Sequence, residues 1–526
     1  MRTAVYNRYW STGGGAEKYG GVIAQVLSAD GPLDLLTHDP VDVDWLADRL
    51  HLDLSRVDVR LIDDEPGSLT KASTDYDLFV NVSYMSIDRA GIPQSLYVIH
   101  FPSPLDSHLG PISRFVTRSD RLMHALLPVG MEWGDGFHHR DPGSGNLGWT
   151  NGEGTLHFDI PPGRTISLTL VFGHQRPAEL GPTDVRIQVN GRTAREFTLA
   201  PPKTRLHAQL GVATSVKVKA PTAEVPAEVK VISDTFIPAE VLGGNDRRRL
   251  GVPLKSMRVG MGPWAPVTRW MPNVLATPGS SRWAGSYGAL VSNSEFTKGW
   301  VKRWWDCDSE VLFPPVVLHK AQAKEPMILN VGRFFDSKHG HSKKQLELVQ
   351  AFRNLCDRGV EGWSLHLVGG LVSVGQEYFD RVSGLAEGYP VELHPNASGE
   401  ELEALYGRAS IYWHASGFGE DAQRNPDRLE HFGITTAEAM SAGAVPVVIG
   451  LAGQLETVRH GIDGFHFRTL DELVQRTQTL TKDDALRAEM SAAAQARAKE
   501  FSVEAFEGRL RSIVERVRAG ATGNPS

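Results

Sequence analysis

Hydrophobic and polar positions follow two different patterns along the chain. In residues 1–105, and again from residue 259 onward, short apolar runs alternate with amphipathic stretches of helical period. Buried strands separated by helices are typical of βαβ units and a parallel sheet. The runs predicted as strands are TAVY, LDLLT, DLFVNV and SLYVIH in the first part, and MILNVG, LHLVG, VELH, IYWHA, VPVVIG and GFHF in the last part.

The middle of the chain, residues 106–258, follows the second pattern. In runs such as DVRIQV, TISLTLVF and AEVKVIS, apolar and polar side chains alternate with the period of two that a half-buried strand requires. Asn190-Gly191 separates two such runs, and this dipeptide is the strongest short signal for a hairpin. Helical periodicity is scarce here. The pattern therefore predicts an all-β module of sandwich type.

Together these patterns predict two α/β domains with a β module inserted into the first. The last amphipathic stretch carries apolar residues at helical spacing, namely Ala505, Phe506, Leu510, Ile513 and Val514. The expected bounds are 1–105 and 259–320 for the N-terminal domain, 106–258 for the inserted module, 321–500 for the C-terminal domain, 501–518 for a crossover helix and 519–526 for a disordered tail.

Composition narrows the class of protein. Of the 526 residues, 41% are hydrophobic and 22% are charged, as in ordinary soluble globular proteins. The net charge of −7 provides no positive field for nucleic acid, which we do not expect as a partner. Two cysteines argue against a disulfide framework and a cysteine-based zinc site.

The apolar runs also bear on the cellular setting. No run of 18 apolar residues predicts a membrane-spanning helix, and the N-terminus lacks the long apolar segment of a signal peptide. We therefore expect a cytoplasmic protein. Peripheral contact with the inner face of a membrane stays open.

The segment EHFGITTAEAMSAGAVPVVIG, residues 430–450, carries the most specific chemistry. Glu430 precedes a helical pattern and Glu438 lies inside it. Eight residues of helix would span ~12 Å, the reach from a sugar across a diphosphate to a ribose. The free N–H groups near Gly433, Ile434 and Thr435 would face a phosphate between the two carboxylates. Alternatively, acidic residues near a helix N-terminus simply stabilise its dipole.

This segment resembles the E-x7-E signature of retaining glycosyltransferases of family 4, which have the GT-B fold of two Rossmann-like domains facing a cleft. The branch it most resembles makes bacterial cell-surface polysaccharides. The matching residues are Glu430, Phe432, Gly433, Glu438, Ala439, Met440, Gly443 and Pro446. The resemblance implies that Glu430 contacts the donor sugar, that Glu438 binds the nucleotide ribose and that Phe432 belongs to the donor site. It covers both α/β parts of the chain and leaves out the β module.

A second matching element is NVGRFFDSKHGHSKKQLELVQAF, residues 330–352. Arg333 offers a planar fork, and a lysine offers a point charge, to a leaving diphosphate. The family pattern places one lysine before the helix. Counting back from the helix gives Lys343, which we favour, whereas counting forward from Arg333 gives Lys338. A lysine-rich loop that is merely solvated is the alternative for Lys338.

Two further elements lie in the N-terminal part. Gly14 and Gly15, in STGGGAEKYGG, would allow close approach of the backbone to a diphosphate, although a glycine-rich turn alone is a weak signal. His100 ends a predicted strand, where side chains face the cleft of an open α/β sheet. The resemblance puts such a histidine near the donor sugar. The predicted catalytic residues are thus Glu430, His100, Arg333 and Lys343.

The implied activity is transfer of a hexose, with retained configuration, from a nucleotide sugar to a polysaccharide or lipid-linked glycan. His431 favours mannose as the transferred sugar. The expected donor is GDP-mannose or a UDP-hexose. We expect no bound metal and no cofactor besides this co-substrate. Trp133 and Trp149 of the β module would either stack on sugar rings or close its core. The alternatives are a non-catalytic glycan-binding scaffold and a sugar-phosphate synthase of the same fold; the oligomeric state is unknown.

Overall fold

The computed structural model describes most of the chain. The residues outside the description are 1, 65–66, 105–124, 139–146, 175, 203, 205–208, 223–224, 242–247, 269–270, 276–280, 337–341 and 521–526, together with the side chains of residues 178, 239, 264, 281, 282 and 374. The predicted donor-site residue Lys338 lies outside the described residues, as does most of the predicted tail.

The strands of the described ranges are numbered in chain order. They are β1 Thr3–Tyr6, β2 Leu33–Thr37, β3 Val57–Leu61, β4 Leu78–Asn81, β5 Ser95–Ile99, β6 Gly130–Trp133, β7 Gly148–Trp149, β8 Glu153–Asp159, β9 Ile166–Phe172, β10 Thr183–Val189, β11 Arg192–Leu199, β12 Val212–Val218, β13 Ala227–Ser233, β14 Pro253–Met261, β15 Ala289–Ser292, β16 Glu310–Val311, β17 Glu325–Val331, β18 Ser364–Gly369, β19 Val391–Pro395, β20 Ala409–His414, β21 Val445–Ile449 and β22 Phe465–Phe467.

The α-helices of the same ranges lie mostly between the parallel strands. They are Gly15–Ser28, Val43–Leu50, Ser68–Ser73, Pro238–Val241, Ala265–Thr268, Glu295–Trp305, Gln345–Asp357, Gln376–Ala386, Gly399–Arg408, Ile434–Ser441, Gln454–Thr457, Leu470–Lys482, Asp484–Ala498 and Val503–Arg518. None of them combines the length and the apolar character that crossing a bilayer requires.

Two parallel sheets form the α/β parts. The first has seven strands in the order β16-β15-β5-β4-β1-β2-β3, and the second has six in the order β19-β18-β17-β20-β21-β22. Every pairing within them is parallel, for instance β1 with β2 and β17 with β20. Their central strands are buried along their whole length, as expected for sheets covered by helices on both faces.

Two antiparallel sheets form the module between residues 130 and 261. Their orders are β11-β10-β13-β8-β6 and β12-β9-β14-β7. Inward side chains of both sheets meet in one hydrophobic cluster, to which Leu156 and Val229 contribute from one sheet and Leu168 and Val259 from the other. A shared core between two antiparallel sheets defines a sandwich. The predicted fold class is therefore confirmed.

Local chemistry explains the hairpin between β10 and β11. Asn190 and Gly191 have φ of 50° and 74°, in the left-handed region that a tight two-residue turn requires. Asn190 also fixes the turn from outside, because its side chain donates to Lys219 O and accepts from Glu228 N, both at 2.9 Å. The sequence signal at this dipeptide thus corresponds to a real turn.

A carboxylate links the module to the first domain. Asp64 forms a paired interaction with Arg8, at 2.8 and 3.0 Å, and lies 3.5 Å from Nδ1 of His138, a residue of the module. Burial by itself would raise the pKa of Asp64, but the hydrogen bonds from His138 and Arg8 hold it well below its usual range. The interaction fixes one edge of the module beside the carboxyl end of β1.

The last helix, Val503–Arg518, returns to the first domain. Its apolar face, including Phe506, Leu510 and Val514, belongs to the same buried cluster as Val5 and Leu35 of the first sheet. The two α/β parts are therefore joined twice by the chain, once before β17 and once through this helix.

The packing of this helix can be tested with Leu510→Ala. Leu510 is fully buried, so truncation leaves a cavity and should lower the free energy of unfolding of the N-terminal domain by about 2–5 kcal/mol. Urea denaturation followed by tryptophan fluorescence measures this loss. Glu515→Ala, an exposed change on the same helix, should stay within about 0.5 kcal/mol of wild type. Equal stability of the two variants would contradict the packing described.

Candidate active site

The candidate site lies at the carboxyl ends of the second parallel sheet. β17 ends at Val331, β20 at His414 and β21 at Ile449, and β20 pairs with both of the others. The loops after these strands therefore meet at one edge. In open α/β sheets this edge is where ligands bind.

Glu430 is the centre of this group. Its Oε2 lies 2.5 Å from Lys343 Nζ and 3.0 Å from His414 Nε2. The side chain of His414 is only 1% exposed, whereas those of Glu430 and Lys343 are 16% and 20% exposed. Burial lowers the pKa of His414, which keeps the ring neutral. Because an ionised carboxylate only accepts, Nε2 of His414 carries the hydrogen and orients Glu430.

The loop before the helix Gln345–Asp357 aims Lys343. A Cβ atom at Gly332 would lie 2.5 Å from Lys343 Cγ, so the lysine stem crosses directly over this glycine. Gln345 donates to the carbonyls of Gly332 and Arg333 at 3.0 and 3.1 Å and holds the end of β17 in place. Arg333 itself is exposed. Lys343, the lysine that we favour from the sequence, lies beside Glu430.

The helix Ile434–Ser441 begins with a strained glycine. Gly433 has a φ of 98°, in the left-handed region that favours glycine, and a Cβ atom there would lie 2.2 Å from Gln454 Nε2, so any other residue would strain the backbone and displace Gln454. No side chain caps this helix start in the described structure, which leaves the first N–H groups, at Ile434 and Thr435, available to an anion.

The helix begins where the sequence predicts, but the segment between the two glutamates is only partly helical. The helix starts at Ile434, so only the stretch from Ile434 to Glu438 is helical, a rise of about 6 Å. The three residues after Glu430 follow a non-helical path because Gly433 turns the chain. The expectation of ~12 Å from eight helical residues therefore does not apply to the segment between the two glutamates.

Glu438 faces the other domain. It accepts a hydrogen bond from Tyr406 Oη at 2.9 Å, and the ring of His319 stacks on Tyr406 with the centroids 4.7 Å apart. Burial raises the pKa of Glu438, and the charge of Lys18, on the first helix of the N-terminal domain, opposes this rise. The electrostatic contact with Lys18 indicates that the two domains face each other across this carboxylate.

The glycine-rich turn of the N-terminal domain is closed by Glu17. Its Oε2 accepts from Gly14 N at 2.9 Å and from Thr12 Oγ1 at 2.7 Å, while Oε1 accepts from Asn7 at 3.2 Å. A Cβ atom at Gly15 would meet no atom within 4 Å. The helix start at Gly14 is thus rigid, and the space beside Gly15 is open.

His100 follows β5 and lies on the same side of the N-terminal domain. Its Nε2 donates to Val82 O at 2.9 Å, and its ring meets the edge of Tyr19 with centroids 5.7 Å apart. Burial lowers the pKa of His100. The ring is therefore neutral at physiological pH.

Two neighbours of Glu430 hold the domains together instead of facing the cleft. His431 stacks on Phe101 of the N-terminal domain, with centroids 4.1 Å apart and planes at 9°. Phe432 is 2% exposed and belongs to an apolar cluster with Val316 and Phe501. Phe432 was predicted in the donor site, and its side chain instead lies in this cluster.

A further carboxylate crosses between the domains. Glu456, near the end of the second sheet, accepts from the backbone N–H groups of Glu295 and Phe296, each at 2.7 Å. These groups begin the helix Glu295–Trp305, so the carboxylate satisfies two donors that no helical carbonyl can reach. The interface beside the cleft is thus made of specific polar contacts as well as aromatic stacking.

Sequence reasoning missed several residues of this group. His414 ends the predicted strand IYWHA, and the same logic that selected His100 at a strand end could have selected it. Lys18 and Tyr406 carried no local signal, because their nearness to Glu438 depends on how the domains face each other.

A model of a known protein family matches part of the chain. Residues 318–497 match the family model described as "Glycosyl transferases group 1", and this range includes Arg333, Lys343, Glu430 and Glu438. A search of curated proteins gives no match. The matched segment supports a glycosyltransferase in general terms.

One of the similar solved structures supports the fold. The Anabaena protein Alr3699/HepE in complex with UDP is similar at a TM-score of 0.50, with 12% identity over 98% of this chain and 100% of that one. Sucrose-phosphate synthase from Thermosynechococcus elongatus (TM-score 0.49, 14% identity, 99% and 100% covered) and a glycosyltransferase from Rickettsia africae (0.49, 11%, 98% and 98%) are also similar. At such identities the likeness concerns the GT-B fold alone.

The buried His431 predicts a dependence of stability on pH. Burial lowers its pKa from the usual 6.5 to about 4, so the unfolded chain binds a proton between these values that the folded chain does not. The free energy of unfolding should therefore fall as the pH falls from 6.5 towards 4. Urea midpoints measured across this range test the sign.

His431→Phe sharpens the test, because it keeps a ring against Phe101 and removes the titrating group. The variant should lose less stability on acidification than wild type. The remaining loss comes from the other histidines whose pKa values burial lowers, namely His100, His319, His366, His414 and His466. The exposed change His51→Asn should leave the wild-type dependence unaltered. An unchanged dependence in His431→Phe would contradict the assignment.

Proposed function

We propose that the protein is a retaining hexosyltransferase that uses a nucleotide-diphosphate sugar. The observation that carries the proposal is the contact of Glu430 with Lys343 and His414 in front of an uncapped helix start. A carboxylate, a cation and open N–H groups at one point are what a sugar joined to a diphosphate requires. A purely structural ion pair would have no need of the open helix start.

Lys343, Arg333 and the helix start at Ile434 would stabilise the charge that develops on the departing diphosphate. In the structure Lys343 is paired with Glu430 at 2.5 Å. When the donor binds, the lysine would exchange this partner for a phosphate oxygen, and Glu430 would accept hydrogen bonds from the sugar hydroxyls. Charge stabilisation by preorganised donors is usually the largest catalytic contribution in such reactions.

Glu438 would accept the paired hydroxyls of the ribose, with Tyr406 holding the carboxylate in place. Acceptance by a carboxylate requires no metal ion. On the opposite wall, Gly14, Gly15 and His100 would approach the diphosphate and the sugar. Front-face attack, in which the donor phosphate takes the acceptor proton, needs no protein base, so we assign none. Closure of the cleft would exclude water and limit hydrolysis of the donor.

The donor sugar and its nucleotide are proposed from one similar structure and from the sequence around His431. Alr3699/HepE is described in complex with UDP, and another structure of the same protein is described with UDP-glucose. The sequence around His431 leans towards GDP-mannose, but that ring is stacked on Phe101 and does not itself offer a sugar contact. We therefore propose a UDP-hexose or GDP-mannose as the donor. The sequence pattern favours mannose.

The acceptor is proposed to be a polysaccharide or a lipid-linked glycan, held in part by the β module. In the module, Trp149 is 9% exposed and packs in a small cluster with Phe236 and Leu250, so it closes the fold. Trp133 is only partly buried and packs on Phe137 with centroids 4.8 Å apart. Trp133 is thus the better of the two for stacking on a sugar ring.

Glu430→Gln tests the catalytic assignment. The change keeps the shape of the side chain and removes its charge, so transfer of sugar should fall by about 100-fold or more. Nucleotide binding should persist, because the phosphates and ribose contact other residues. Thermal shifts with GDP, UDP and ADP report that binding, since a ligand bound only by the folded protein raises its melting temperature.

The matched control is Glu489→Gln, an exposed change on another helix of the same domain. It should leave both transfer and the nucleotide shift unaltered. Full activity of Glu430→Gln would refute the site. A nucleotide shift in the wild type without any transfer would instead favour the non-catalytic glycan-binding scaffold.

Removal of the β module tests its role. Replacing residues 130–261 with a short flexible linker should preserve the nucleotide thermal shift, because no residue of the proposed donor site lies in that range. Use of long glycan acceptors should weaken relative to short ones, measured as the ratio of kcat/KM values. An unchanged ratio, with the thermal shift intact, would reject acceptor binding by the module.

A further inference from the structure

A cluster of metal-binding side chains lies at the far edge of the second sheet, apart from the proposed donor site. It comprises His366 on β18 and Glu392 and His394 on the edge strand β19. The strand register pairs His366 with Glu392 and Val368 with His394. Because side chains two residues apart share a face, all three point to the same side of the sheet.

The distances within the cluster match a small divalent ion. His366 Nδ1 lies 3.0 Å from His394 Nε2 and 3.7 Å from Glu392 Oε2, and the last two atoms are 3.8 Å apart. A circle through three points so spaced has a radius of about 2.1 Å, which is the usual distance from zinc to an imidazole nitrogen or a carboxylate oxygen. One point is therefore at bonding distance from all three atoms.

Neighbouring oxygen atoms orient the imidazole rings of His366 and His394 for metal binding. His394 uses its other nitrogen, Nδ1, towards Glu401 Oε1 at 2.8 Å, and His366 uses Nε2 towards Ser364 Oγ at 3.0 Å. Histidines that bind metals characteristically donate their second N–H to such oxygen atoms, which fixes the ring and raises its basicity. Both rings thus direct the remaining nitrogen at the same point.

We propose that His366, Glu392 and His394 form a zinc site. Two imidazoles and one carboxylate are a known set of three protein ligands for zinc, with the fourth position left to water. The Glu392 side chain is 61% exposed, so an ion can enter from solvent. Nitrogen ligands favour zinc and its transition-metal neighbours over magnesium or calcium.

The role of the ion is structural. β19 is the edge strand of the sheet, and zinc would join it to β18. The site is three strands from His414 on β20, about 14 Å at the usual strand spacing. Beyond β19, Asn396 holds the turn after β18 through hydrogen bonds with Gly369 and Leu371, and that turn packs against Gly332. The proposal does not depend on the proposed glycosyl transfer.

Metal titration of the full chain tests the site. The purified protein is stripped with a chelator, desalted and titrated with zinc chloride in competition with a chromophoric chelator. We expect one tightly bound equivalent per chain and a rise in melting temperature on binding. Cobalt in place of zinc should give the visible absorption of a tetrahedral nitrogen and oxygen site.

Three variants separate this site from other histidines of the chain. Glu392→Gln, on an exposed side chain that the fold does not require, should weaken zinc binding more than about 10-fold. His394→Ala should remove the tight equivalent. Glu387→Gln, an exposed change outside the cluster, should bind zinc as wild type does.

The alternative is a chain of hydrogen bonds without a metal, in which one ring donates to the other across the 3.0 Å contact. Absence of a tight equivalent in the wild type would establish that alternative and overturn the proposal. So would zinc affinity that is equal in wild type, Glu392→Gln and His394→Ala, because the ion would then bind elsewhere.

Discussion

Four consecutive residues, 430–433, each meet a different environment, and the candidate site depends on that divergence. Glu430 contacts a lysine and a histidine, and His431 stacks on a ring of the other domain. Phe432 packs in an apolar cluster, and Gly433 precedes the first residue of a helix. A tight contact enforces the arrangement. A Cβ atom at Gly453 would lie 2.1 Å from the carbonyl oxygen of His431, and Gly453 N donates to Glu430 O at 3.0 Å. Because the backbone of Glu430 and His431 is held against Gly453, the two side chains keep their separate directions.

The same segment joins the candidate site to the contacts between the two domains. Because His431 stacks on Phe101 and Glu456 caps the helix Glu295–Trp305, the contacts beside Glu430 are also contacts between domains. A change in the angle between the domains would disturb the stack and the position of Glu430 together. The helix Val503–Arg518 limits such changes, since its apolar face lies in the core of the first domain. Contacts between the two domains therefore lie directly beside the candidate site.

Burial and pairing determine the charges of the candidate site. Lys343 and Glu430 neutralise each other in a partly buried place, where an unpaired charge would be costly. His414 remains neutral because it is buried, so it orients the carboxylate without adding charge. Burial raises the pKa of Glu438, which accepts a hydrogen bond from Tyr406, and the charge of Lys18 opposes this rise. In the proposed function, a diphosphate sugar would offer a phosphate to Lys343 and hydroxyl groups to the two carboxylates.

Much of this could be predicted from the sequence, and the limits have a physical cause. Period and composition along the chain determined the parallel sheets, the β module and the hairpin at Asn190, because burial on two faces, on one face or at a turn selects residue types locally. The sequence also singled out Glu430, Lys343 and the start of the helix at Gly433. Only the tertiary structure decided that Phe432 packs inward and that His414 and Lys18 lie near the two glutamates. Those outcomes depend on contacts between residues far apart in the chain, which no local pattern encodes.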